Sequence, residues 1–181
     1  PGETYFSTSD IGWVVGHSYI VYGPLIAGMA TIMYEGLPIR PDGGIWWRLV
    51  EKYKVTVMFS APTALRVLKK QDPAYLKQYD LSSLKFVVHA AAPCPPPIKR
   101  AMIEWWGPVI NEYYGSTETG AVVACTSEEW RAHPGTVGKA WPISQLKIVR
   151  DDGADAAPGE VGTVYMSMGQ HTFAYHKDRG K

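Results

Sequence analysis

An α/β architecture, a parallel layer followed by a smaller β subdomain, is the fold class this chain predicts, and three observations carry the prediction. Apolar runs rich in β-branched residues alternate with longer amphipathic segments through the first two thirds, as in parallel strands joined by helices. Near residues 125 to 140 the texture changes to paired, alternating strands separated by a turn-rich stretch. The 181 residues are 46% hydrophobic and 19% charged, a balance that builds a packed core and excludes a disordered chain.

In chain order, Ala30 to Tyr34 reads as a strand, Gly44 to Lys54 as a helix and Val55 to Phe59 as a strand. Pro62 to Lys70 is the next helix: Leu65 and Leu68 share a face with Ala61 and Ala64, Arg66, Lys69 and Lys70 face water, and Pro62 occupies the first turn, where a missing N–H costs nothing. A strand at Lys85 to His89, a helix at Pro96 to Trp106 and a strand at Val109 to Asn111 complete the layer. Gln145 to Val149 and Val161 to Met168 then alternate like the two arms of a long hairpin around Arg150 to Gly159. We therefore expect residues 1–125 to form the α/β layer and 126–181 a truncated β-rich subdomain. Trp46-Trp47 and Trp105-Trp106 sit on helices where one ring of each pair is expected in the core.

Eighteen Lys and Arg against seventeen Asp and Glu leave a formal net charge of +1, which gives no reason to expect a nucleic acid or an anionic membrane as partner. The longest apolar run, around Tyr19 to Met33, is broken by glycines and Pro24, so no membrane span is expected. Two cysteines, Cys94 and Cys125, are too few for a disulfide framework, lack metal-ligand spacing and suit packing in a reducing cytoplasm. His133, His171 and His176 are scattered, and no zinc spacing or nucleophile-elbow motif occurs. Pro1-Gly2-Glu3-Thr4 is polar, acidic and without an initiating methionine, so we expect a portion from inside a longer protein.

The chemistry concentrates in Glu112-Tyr113-Tyr114-Gly115-Ser116-Thr117-Glu118-Thr119-Gly120. After the apolar Val109-Ile110, these residues read as a short loop in which Gly115 lets the backbone approach a ligand. The Thr117 hydroxyl is a donor for a phosphate oxygen, and Glu118 is an oxygen ligand for a hard cation. A simple turn, with Glu118 in a salt bridge, is the competing reading.

Tyr114-Gly115-Ser116-Thr117-Glu118 resembles the signature of the adenylate-forming enzymes, the acyl-CoA synthetase and luciferase superfamily. Ser9 to Leu25, Tyr34-Glu35-Gly36-Leu37-Pro38, Ser60-Ala61-Pro62-Thr63, Ala91-Ala92-Pro93, Gly135 to Lys139 and Gly159 to Thr163 are similar to further segments of that family, in the right order. Up to about Leu84 the resemblance is to acetyl- and propionyl-CoA synthetases, and from Phe86 to medium- and long-chain acyl-CoA ligases, so a chimera stays open. The resemblance implies that Ala91, Ala92 and Pro93 lie along an adenine ring and that Glu112, Tyr113, Tyr114, Gly115 and Ser116 form the opposite wall. It further implies that Thr117 meets the α-phosphate and that Glu118 binds Mg²⁺. Trp13, Val14 and Gly115 become the acyl-pocket candidates, Trp13 being equally readable as a core residue, and His17 falls near the coenzyme A entrance or is simply structural. Because acetyl-CoA synthetases carry tryptophan where Gly115 stands, an acid longer than acetate is expected.

The implied reaction is attack of a small carboxylic acid on the α-phosphorus of ATP, with Mg²⁺, then transfer of the acyl group to coenzyme A. The family's phosphate-gripping loop, its ribose-binding aspartate and its C-terminal lysine have no counterpart in these 181 residues. The fragment alone is therefore expected to be nearly inactive, with the flanking segments of the same enzyme as its partners. A non-catalytic binding or scaffold module, or an adenylating enzyme with another acceptor, remains the alternative. A piece with near-zero net charge and uncharged apolar strands such as Val55 to Phe59 is also expected to self-associate.

Overall fold

The computed structural model describes residues 1–169 and 174–178. Its main layer is a seven-stranded sheet in the order β2-β1-β3-β4-β5-β6-β7. The strands are β1 (Thr4–Ser7), β2 (Ala30–Ile32), β3 (Val57–Ser60), β4 (Phe86–His89), β5 (Ile110–Ser116), β6 (Gly120–Cys125) and β7 (Lys139–Ala140). β2, β1, β3, β4 and β5 run parallel, while β5-β6 and β6-β7 are antiparallel. A separate antiparallel pair, β8 (Ser144–Val149) and β9 (Thr163–Met168), follows.

Alternation along the strands assigns each face its own core. Phe6, Met58, Val87 and Ile110 point to one side, where they pack with α3 (Ile45–Tyr53), α4 (Pro62–Lys69) and α6 (Pro96–Trp106). These helices form because their apolar residues recur at helical spacing: in α4, Leu65 and Leu68 are buried while Arg66, Lys69 and Lys70 are exposed. Tyr5, Phe59 and Val88 point to the opposite side and pack with Val15, Tyr19 and Tyr113. This second face is covered by a short irregular segment: α1 (Val14–Gly16), a π-helical turn (His17–Tyr22) and α2 (Gly23–Ile26). Tyr19 stacks on Phe59 at 5.2 Å between ring centroids.

The strands and helices expected in the layer are present with small shifts at their ends, and α6 has the bounds expected. Two expectations need correcting. The stretch from Glu112 to Ser116 is not a loop but the second half of β5, because β6 pairs with it from Glu112↔Cys125 to Ser116↔Gly120 and supplies the hydrogen bonds a loop would lack. Trp46 and Trp47 are both buried, at 2% exposure each, since Trp47 meets Trp106 edge-on while Trp46 meets Phe6. β1, the helical segment from Val14 to Ile26, β6, β7, α5 (Ala74–Gln78) and α7 (Ser127–Ala132) are not among the elements expected above. Thr126 and Glu129 make a reciprocal capping box at the start of α7, a signature present in the sequence as Thr126-Ser127-Glu128-Glu129. His171 lies outside the described residues.

The run Val55 to Phe59 is not an edge, because β3 lies between β1 and β4. Among the described strands β2 and β7 form the two edges of the sheet, and around β2, between Ile11 and Ile39, large apolar side chains stand in solvent: Ile26 is 85% exposed, Trp13 69% and Met33 65%. Apolar surface next to an open strand edge favours association. The isolated chain is therefore expected to scatter light as oligomers at micromolar concentration. Lysine at Ile26 and at Met33 should shift it toward monomer, and a wild-type chain that remains a clean monomer would contradict this.

Candidate nucleotide site

In open α/β sheets ligands bind beyond the carboxyl ends of the strands, and the candidate residues fall there. The pairings Ser60↔His89 and His89↔Glu112 draw a row across the sheet at that edge. β4 stops at His89, and Ala90 to Pro93 peel away, while β5 continues to Ser116 paired only with β6. The two backbone segments that should flank a base therefore diverge from the end of one strand. Ala91 adopts φ 75°, a left-handed conformation that costs an alanine energy and is held only where its surroundings demand it.

Thr117, Glu118 and Thr119 form the turn between β5 and β6. Ser116 and Thr119 lock that turn: the Ser116 N–H donates to Thr119 Oγ1 at 3.3 Å, and the Thr119 N–H donates to Ser116 Oγ at 3.2 Å. Ser116 is thus engaged within the turn, whereas Thr117 is exposed and, among the described residues, makes no side-chain hydrogen bond. Glu118 is exposed as well, and its Oε1 accepts from the Tyr175 hydroxyl at 2.7 Å. That bond, with help from its own backbone and from Ser116, holds the Glu118 carboxyl below its usual range, so it is ionised at neutral pH.

Gly115 has no room for a side chain. A bulge displaces the register between Tyr114 and Gly115, and a Cβ on Gly115 would lie 1.8 Å from the Gly120 carbonyl oxygen. Tyr114 is 37% exposed, while the Tyr113 ring is half-buried on the second face, 5.8 Å from Trp141. Trp13 and Val14 follow β1 and are exposed, so Trp13 is not a core residue here. They share the carboxyl edge with Gly115, but β3 and β4 lie between them, a lateral separation of about 14 Å at ordinary strand spacing. His17 is exposed on the π-helical turn.

The Glu112 side chain turns away from this edge into the core. Its carboxylate takes a bond from Lys99 Nζ at 2.5 Å, and both groups are buried, Lys99 completely. The Lys99 ammonium also lies 5.5 Å from the centre of the Trp130 ring on α7. Glu112 therefore supplies backbone to the expected wall, while its side chain ties β5 to α6. The sequence reading missed Lys99, although a signal was there: it lies on the stripe Lys99, Met102, Ile103, Trp106 at helical spacing.

His89 completes the cluster. It is fully buried, its Nε2 lies 3.6 Å from Glu112 Oε2, and among the described residues neither ring nitrogen has a hydrogen-bond partner. Burial first, and repulsion from Lys99 second, push its pKa down to about 3. The folded state thus keeps His89 neutral, while an unfolded histidine takes a proton near pH 6.5. Its stabilising contribution is complete above pH 6.5 and is lost as the pH falls toward 3, at about 1.4 kcal/mol per pH unit. His89→Asn should flatten the dependence of Tm on pH between 6.5 and 4.5. An unchanged slope would mean that His89 is protonated in the fold.

Mg²⁺ takes one or two protein carboxylates and fills its remaining positions with phosphate oxygens and water. One exposed, ionised glutamate beside a free hydroxyl fits such a shared ion. A self-contained metal cage does not exist among the described residues, where no group of three His, Cys, Asp or Glu is poised to bind one. A hollow of about 380 Å³ lies against α7, lined by Glu128, Glu129, His133 and Lys139 among others; it receives nothing from the loops that follow β1, β3, β4 or β5 and is a separate feature. Both cysteines are free, and burial raises both thiols, Cys94 to about 11, which keeps them protonated and unreactive.

Residues 1–175 match the model of the AMP-binding enzyme family. The chain belongs to that family. It is 51% identical over 152 residues to a propionate–CoA ligase of Salmonella typhimurium strain LT2, covering 83% of this chain and 21% of the relative. An acetyl-coenzyme A synthetase of Wolinella succinogenes is 34% identical over 88% of this chain and a quarter (25%) of its own length. Among solved structures, an acyl-CoA synthetase of Brucella canis superposes with a TM-score of 0.77 at 29% identity, covering 90% of this chain and 29% of that one. The chain thus spans 21%, 25% and 29% of the lengths of these three proteins, and no helix among its described residues is long and apolar enough to cross a membrane.

Proposed function

We propose that this chain is the nucleotide-facing part of an AMP-forming acid–thiol ligase that uses ATP to activate a small carboxylic acid and passes the acyl group to coenzyme A. The observation that carries the reading is the carboxyl edge of the sheet, where Ala91 to Pro93 and the Thr117-Glu118 turn leave adjacent strands. Similarity to propionate–CoA ligases supports it.

Ala91, Ala92 and Pro93 offer a stiff apolar strip to one side of the base, and the exposed Tyr114 ring, with the backbone of Glu112 to Ser116, offers the other. Thr117 donates its hydroxyl to the α-phosphate, and Glu118 holds a cation shared with the phosphates. Mg²⁺ supplies positive charge that offsets the repulsion between the acid and the triphosphate. Trp13 and Val14, with the Gly115 backbone, are assigned to the acyl side, and similarity to propionate–CoA ligases supports acids longer than acetate. Coenzyme A, the remaining phosphate contacts and the final lysine belong to flanking segments, which also cover the apolar surface around β2. We further propose that the first unit ends after β7, since β6 and β7 continue the main sheet, and that the β8-β9 hairpin opens the second. Two cysteines, both free, fit a reducing cytoplasmic setting.

The test is pyrophosphate release by this chain joined to its native flanks, with acetate and with acids from propionate to octanoate. Acid-dependent release is expected, strongest for acids longer than acetate. Release with no acid in the series would overturn the reading.

A further inference from the structure

Glu118 sits on an exposed turn, and a long exposed side chain is a poor ligand until something orders it. A partner comes from far along the chain: the Tyr175 phenol donates to Glu118 Oε1 at 2.7 Å, across 57 residues. Tyr175 is 45% exposed, so packing alone does not force the two side chains together. Its own backbone is fixed by a short bridge in which the Asp178 N–H donates to the Tyr175 carbonyl at 3.1 Å. A carboxylate has about four lone-pair sites, and the phenol uses one of them on Oε1.

We propose that Tyr175 is a positioning residue for Glu118, pinning one carboxylate oxygen so that the rest of the group is presented to a divalent cation bound with the nucleotide phosphates. This rests on the reading of Glu118 as the cation ligand. Metal-ligating carboxylates are commonly hydrogen-bonded by a second residue, and loss of such a partner typically lowers metal affinity about 10- to 100-fold. The phenol orients without competing, because it donates a proton and leaves the carboxylate charge in place.

The experiment titrates Mn²⁺, followed by the electron paramagnetic resonance of the free ion, into the 181-residue chain with ATP present, for wild type, Tyr175→Phe and Glu118→Gln. Tyr175→Phe removes one exposed hydroxyl and should leave the thermal transition unchanged. We expect it to weaken Mn²⁺ binding about tenfold while ATP affinity in excess EDTA stays the same, a split that general loosening of the fold would not produce. Equal or tighter Mn²⁺ binding by Tyr175→Phe overturns the proposal, and tighter binding would identify the phenol as a competitor. If Glu118→Gln also leaves Mn²⁺ binding intact, the cation reading of Glu118 falls with it. If Glu118→Gln weakens binding and Tyr175→Phe does not, only the role of Tyr175 is refuted.

Discussion

Lys99→Met is expected to destabilise the chain by about 3–5 kcal/mol, because it leaves the Glu112 carboxylate buried without its cation. Water cannot reach in to compensate: Lys99 is fully buried, Glu112 is 6% exposed, and the neighbouring His89 is held neutral. The size of the loss reflects the charge left behind more than the attraction removed. Lys99→Met combined with Glu112→Leu should therefore recover most of the stability, since a matched apolar pair needs no solvation. Urea unfolding of the wild type and these two variants checks this. A single-mutant loss below about 1 kcal/mol would mean that the pair is solvated. The pair also matters to the site, because Glu112 begins the part of β5 that runs past the end of β4 and carries Tyr114 to the turn.

Gly115→Ala should have the second large effect. The clash is with backbone, so no side-chain rotation relieves it: the new Cβ would lie 1.8 Å from the Gly120 oxygen and 2.8 Å from its carbonyl carbon. β5 and β6 must part at the turn, at a cost toward the upper end of the about 1–3 kcal/mol typical of overpacking. Faster amide exchange from Ser116 to Gly120 is expected, with at least a tenfold loss of nucleotide affinity. Gly115→Trp should be little worse than alanine, since the first added carbon already forces the strands apart. If Gly115 serves only as acyl space, alanine will be nearly silent in stability and only tryptophan will matter.

Where local pattern and tertiary environment agreed, the fold was legible. In α6, Pro96 sits at the helix start, where its missing N–H is harmless, and Gly107 with φ 77° follows the end, so both bounds could be read directly. In α4 the leucines and the charged residues separate cleanly. Legibility failed where pairing overrode composition: Tyr113-Tyr114-Gly115-Ser116 looks like a loop, yet β6 makes it a strand. β1 was invisible because Thr4 and Ser7 flank only two apolar residues, Tyr5 and Phe6, whose burial depends on partners far away in sequence. The Thr117-Glu118 turn and the strip at Ala91 to Pro93, both singled out by sequence, share one edge of the sheet. The role of the Glu112 side chain was not, because a carboxylate beside a ligand loop and a carboxylate paired in the core look the same until α6 is in place. Tyr175 left no local trace, since its partner is fixed only by the path of the chain.

Glu118 is the proposed group that couples a divalent cation to a bound nucleotide. Calorimetry of ATP with Mg²⁺ against the 181-residue chain and its Glu118→Ala variant tests this most directly. Submillimolar binding, on the order of 4–5 kcal/mol, is expected for wild type and its loss in the variant. No heat with wild type, or equal binding by both proteins, would contradict it.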